Sequence, residues 1–145
     1  MTKDTILTIS GLHSNEGEAG EPIEIITPAQ YYMRNGKHYV MFDEVMEGVD
    51  GEIKSTLKLA EDRVELLRSG ATLTRMIFEE NQEHQTVYRT PMGPLSLSLY
   101  TEKIRAEIEE EQITVEIDYS LKAEENVLTE STIHLHVCPK ELKRF

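Results

Sequence analysis

The sequence predicts an all-β fold, a single antiparallel up-and-down β-barrel of about eight to eleven strands with no long helix. Three observations carry that expectation. Between Asp62 and Tyr100 the chain reads DRVELLRSGATLTRMIFEENQEHQTVYRTPMGPLSLSLY, alternating segments separated by SG, ENQE and PMGP turns. A period of two broken by turn residues belongs to antiparallel strands. The same rhythm runs almost end to end without an amphipathic helix, an exact repeat or a linker, so residues 1–145 read as one domain. The connections are short, and a meander of this kind commonly closes on itself to remove its exposed edges.

Each element has its own signal. Thr5–His13 is the first strand, with Leu7 and Ile9 on one phase and Ile6 and Thr8 on the other. Ser14 to Glu21 is a Gly- and Glu-rich loop, too interrupted for a helix. Ile23 to Arg34 is a strand bent at Pro28, because proline cannot donate to a central ladder. Asn35-Gly36 is the strongest hairpin signal, since both positions of a type I′ turn need positive φ. The returning strand runs from His38 to about Met46. Asp50-Gly51 then opens Glu52–Ala60, where Ile53, Ser55, Leu57 and Leu59 share a phase.

Four strands of ordinary length follow: Arg63–Arg68, Ala71–Glu79, Glu83–Thr90 and Leu95–Tyr100. Ile104, Ala106 and Ile108 alternate with Arg105, Glu107 and Glu109, and the run Glu109-Glu110-Glu111 turns the chain into Ile113–Tyr119. The last strand, about Val127–Val137, carries Ile133, Leu135 and Val137 on its apolar phase.

Composition bounds the partners. The chain has 145 residues, 39% hydrophobic and 29% charged, as expected of a soluble globular protein. No apolar run reaches membrane-spanning length, and the start MTKDTILTIS lacks the apolar core of a signal peptide. A lone Cys138 fits a reducing, cytoplasmic setting. With 27 acidic against 15 basic residues and a net charge of −12, nucleic acid and anionic membrane surfaces are disfavoured as partners.

Arg68-Ser69-Gly70, then Met76 and Phe78, then Tyr88-x-Thr90-Pro91-x-Gly93, and later Thr101 and Tyr119-x-Leu121 form a pattern along nearly the whole chain. In it the sequence resembles the YwiB-like family of uncharacterised bacterial proteins, small cytoplasmic β-barrels of the calycin type. The resemblance implies a calycin- or lipocalin-like barrel but no activity, because its motifs are structural. One departure stands out: Glu79-Glu80-Asn81 occupies the turn after Phe78, where glycine is expected. No helical lid like that of fatty-acid-binding proteins is present, so lipid carriage does not follow.

Several side chains bear on function. Arg68 shares the inward phase of Val64 and Leu66, and a buried guanidinium needs a partner. That partner is either an anionic ligand, whose carboxylate or phosphate suits the forked geometry, or a Glu on a neighbouring strand. Tyr88 and Thr90 on one strand and Met76 and Phe78 on the next make an amphipathic wall if all four face inward, and Tyr119 adds a phenol. Arg75 and Arg89 fall on the outer phases. His134-x-His136 projects from one strand face, as metal ligands can, but on the outer phase and without an evident third ligand.

Catalytic signals are weak. There is no G-x-S-x-G elbow, no Gly-rich phosphate loop, and Cys138 continues an apolar strand before Pro139. The sequence therefore leads to a non-enzymatic binding protein without a cofactor. It accepts a small amphipathic or anionic ligand in the barrel through Arg68, Tyr88, Thr90, Tyr119, Met76 and Phe78. The alternatives are a packed structural or protein-interaction module, a homodimer for example with Leu73 or Ile77 on its contact face, and an enzyme of unrecognised type.

Overall fold

The computed structural model describes residues 3–13, 22–44, 51–70, 74–90, 93–123 and 126–140. Within these ranges the side chains of 12–13, 22–23, 88–90, 95 and 126–129 lie outside the description. The Ser14–Glu21 loop, Leu73 and the ends of several expected strands lie outside it as well.

All elements named among the described residues are strands: β1 Asp4–His13, β2 Pro22–Arg34, β3 Lys37–Glu44, β4 Ile53–Leu59, β5 Arg63–Gly70, β6 Thr74–Glu79, β7 Glu83–Thr90, β8 Gly93–Ile108, β9 Ile113–Ala123 and β10 Asn126–Pro139. They form one antiparallel sheet in the order β6-β5-β4-β3-β2-β1-β10-β9-β8-β7. Consecutive strands pair as a meander requires, except β6 with β7, which end the band, and β1 meets β10 with Thr5 opposite Pro139. The free edges of this band, β6 and β7, come together and nearly close the barrel. There Thr86 Oγ1–H donates to Arg75 O (3.1 Å), Asn81 N–H to Thr101 O (2.8 Å) and Thr101 N–H to Gln82 O (3.2 Å).

Alternation fills the inside. Leu7, Ile9, Val40, Ile53, Leu59, Val64, Met76, Leu99, Ile113, Val115, Ile117 and Val137 are all buried. Asn35 (φ 52°) and Gly36 (φ 76°) adopt the two positive φ angles of the hairpin signal.

The expected strands Leu95–Tyr100 and Ile104–Ile108 are one strand, β8, with a register shift between Thr101 and Lys103. The inward residues change there from odd (Leu97, Leu99, Thr101) to even (Ile104), which is what one inserted residue does to a period of two. The turn after Phe78 supports this bulge. Ile104 N–H donates to Glu80 Oε2 (3.0 Å), and Asn81 takes the left-handed φ of 61° that glycine would otherwise supply.

Candidate functional site

Arg68 points inward, as its phase predicts, and is 2% exposed. Its guanidinium meets Glu44, with Nε 3.0 Å from Oε2 and Nη2 3.4 Å from Oε1. Glu44 sits on β3, Arg68 on β5, and Ser55 lies on β4 between them, its hydroxyl donating to Glu44 Oε2. The charge of Arg68 is therefore balanced inside the protein by a Glu, so burial does not oblige it to hold an anionic ligand. Glu44 was not singled out from sequence, although Val40, Phe42 and Glu44 alternate on one phase and Ser55 shares that of Leu57. Thr74 stands opposite Arg68 in the β5–β6 register, and its buried Oγ1 has no hydrogen-bond partner among the described residues.

Met76, Phe78 and Tyr119 come together farther along the interior. All three are buried, and the Phe78 and Tyr119 rings meet edge to face at 5.5 Å between centroids. Register puts Arg68 two inward positions from Phe78's partner Val64, towards the other end of β5. The strand positions of Tyr88 and Thr90 are set by pairing with Leu95 and Gly93, but their side chains lie outside the described residues. The void among Ile9, Leu57, Val64, Leu66, Phe78, Ile117, Ile133 and Leu135 is about 10 Å³. That is roughly the smallest space that holds one water, and its walls are apolar.

The outer surface carries several polar networks. Arg105 donates through Nε to Glu116 (2.8 Å) and through Nη1 to Asp118 (3.0 Å), and Thr132 also donates to Asp118 (2.7 Å). Those hydrogen bonds, from Arg105 first and then Thr132, hold the Asp118 carboxyl below the usual carboxylate range. His134 faces outward and pairs with Glu116 at 3.1 Å, whereas His136 contacts Gln112 at 3.2 Å. No group of three metal-ligating side chains is gathered among the described residues. Burial pushes the Glu65 carboxyl up, but hydrogen bonds and charge from Arg63 and Arg75 outweigh it and bring it down. At the barrel end opposite Arg68, Tyr31 Oη lies 2.7 Å from His38 Nδ1; burial raises the phenol's pKa and lowers the imidazole's.

A concavity opens in the wall. An open cleft of about 420 Å³ crosses β1–β4, lined by Asp4, Pro28, Gln30, Met41, Asp43 and Lys54 among others. Pro28 is its cause. The two-residue hairpin makes Arg34–Lys37 a hydrogen-bonded pair, so Tyr32–Tyr39 and Gln30–Met41 are the next such pairs. Pro28–Asp43 would follow, and there proline has no N–H to give. The β2–β3 ladder stops at Gln30–Met41, while β2 continues to pair with β1 and β3 with β4. The two strands part, and inward residues Ala29, Phe42 and Ser55 become part of the cleft's lining. The proline was readable from sequence; the opening it leaves was not, because the register had to be known.

Comparison with known proteins agrees with this architecture. The chain is 30% identical over 123 residues to the uncharacterized β-barrel protein YwiB of Bacillus subtilis (strain 168), covering 83% of this chain and 84% of that one. The crystal structure of the ywiB protein from Bacillus subtilis superposes with a TM-score of 0.76 at 23% identity, covering 94% of this chain and 92% of the other. Residues 7–135 match the model of a domain of unknown function, DUF1934, and the chain belongs to that family.

Proposed function

We propose that this barrel is a non-enzymatic protein-interaction module with a packed interior, and that it binds through the cleft in its wall. The observation that carries the reading is the contrast between a void of about 10 Å³ inside and an open cleft of about 420 Å³ outside. Balanced charge at Arg68 supports it, since the most conspicuous inward cation already has a carboxylate partner. A cytoplasmic setting goes with the proposal, supported by the lone, buried Cys138. The net charge of −12 argues for a protein partner over nucleic acid.

A small polar guest near Arg68 is the second reading, favoured by the unpartnered hydroxyl of Thr74. Native mass spectrometry on protein purified from its host separates the two. The interaction-module reading expects the bare chain mass, or masses of protein complexes only. A small-molecule increment that survives gentle ionisation and vanishes on unfolding overturns it in favour of the guest.

A further inference from the structure

We infer that the occupant of the wall cleft is a second copy of this chain, docked about a two-fold axis; the inference rests on the interaction-module reading. Charge restricts what can approach. Two molecules of net charge −12 repel one another over most orientations. The cleft is an exception, since its charged lining is Asp4 and Asp43 with Lys54 and Lys140, two acids and two bases. Such a neutral, mixed-sign face is complementary to itself, which is the requirement for an isologous interface. Asp43 and Lys54 are held together only by an exposed 3.4 Å pair, with side chains 58% and 70% accessible, so exchanging partners with a facing copy costs little.

Shape and apolarity point the same way. Ile26, 66% exposed, projects from the outer face of β2 two residues before Pro28 in the cleft wall. Along a strand that separation is roughly 6.5 Å. A projection beside a hollow on one face lets each copy seat its Ile26 in the other's cleft, against Met41, which is itself 37% exposed. The stacked rings of Tyr32 and Tyr39, 5.0 Å apart, extend this face along β2 and β3. Aromatic and methionine side chains are the types enriched at such contacts.

Sedimentation equilibrium over a wide concentration range tests the inference. The wild-type chain is expected to reach twice its 16.6 kDa mass. Ile26→Glu and Met41→Glu are each expected to weaken association at least about tenfold without changing the β-sheet circular dichroism. Asp43→Lys is expected to weaken it as well, and Asp43→Lys with Lys54→Asp to restore it, since the double exchange re-creates complementarity. A monomer at every concentration overturns the inference, and so does a dimer indifferent to all four variants. If that monomer has a bare native mass, only the self-pairing fails; if it carries a small-molecule increment, the interaction-module reading fails with it.

Discussion

Three buried polar side chains, Glu44, Ser55 and Arg68, form the most consequential residue-level arrangement in the interior. Removing one member leaves its partner charged and desolvated, whereas replacing both ionic members leaves only apolar volume to fill. Arg68→Met or Glu44→Gln alone should cost about 3–5 kcal/mol in urea unfolding, while Arg68→Met with Glu44→Leu should recover most of that loss. A double variant as unstable as the sum of the singles would show that the pair is not coupled. Inward orientation of Arg68 was readable from the phase of Val64 and Leu66. Its partner was not, because Glu44 lies on a strand one removed from β5, and the strand order had to be known.

Titration adds a second prediction at this scale. Glu65 and Asp118 are held below the ordinary carboxylate range, so the unfolded chain takes up their protons first as pH falls. The stability they contribute is complete above their unfolded values, about 4, and is lost as pH falls through the lower folded ones. His38 acts earlier, since its lowered folded value makes stability decline from about pH 6.5 downward. Raised Tyr31 works in the opposite sense, with stability declining as pH rises above about 10. Thermal melts across pH should therefore show a weak acid limb that His38→Phe flattens near pH 6, and a steeper one below 4.5 that it leaves intact.

At the scale of elements, two irregularities shape the barrel. The bulge in β8 is stabilised by Glu80, whose carboxylate accepts the N–H of Ile104. Glu80→Ala should cost about 1–3 kcal/mol, while Asn81→Gly, which keeps the left-handed turn, should stay within about 0.5 kcal/mol. The odd-to-even change of apolar phase between Leu99 and Ile104 was visible in the sequence, yet two strands and one bulged strand give the same pattern. Gly11 marks a matching irregularity in β1: at φ 88°, a Cβ there would lie 2.0 Å from Thr132 O. No rotamer can relieve a backbone clash of that kind, so Gly11→Ala is expected to destabilise by upwards of about 2 kcal/mol.

Pro28 is the other irregularity, and substitution there discriminates cause from coincidence. Pro28→Val supplies the missing N–H opposite Asp43 and allows the β2–β3 ladder to extend. The gain of about 0.5–1.5 kcal/mol for one hydrogen bond is offset by about 0.4–1 kcal/mol of added unfolded-state freedom. Stability should hardly move, but hydrogen exchange should reveal a protected amide at position 28. An unprotected amide there would mean that something other than the proline parts the strands.

For the molecule as a whole, meander order and inward alternation were readable because both follow from local spacing. Which space is filled and which left open depends on volumes summed over all the strands. Side chains from β1, β4, β5, β6, β9 and β10 line one interior void of about 10 Å³. Phe78 is buried and lines that void, so Phe78→Ala should behave as a core truncation, costing about 3–5 kcal/mol in chemical unfolding.

The junction between β6 and β7 gives this wall a grain. Among the described residues every other neighbouring pair shares a backbone ladder, while this one is clasped by the Thr86 hydroxyl and by the turn seated on Thr101. The barrel is in that sense a rolled ribbon with a clasp. Under pulling force or mild denaturant it should unroll from the clasp outward, with β6 and β7 releasing before the long-range join of β1 to β10.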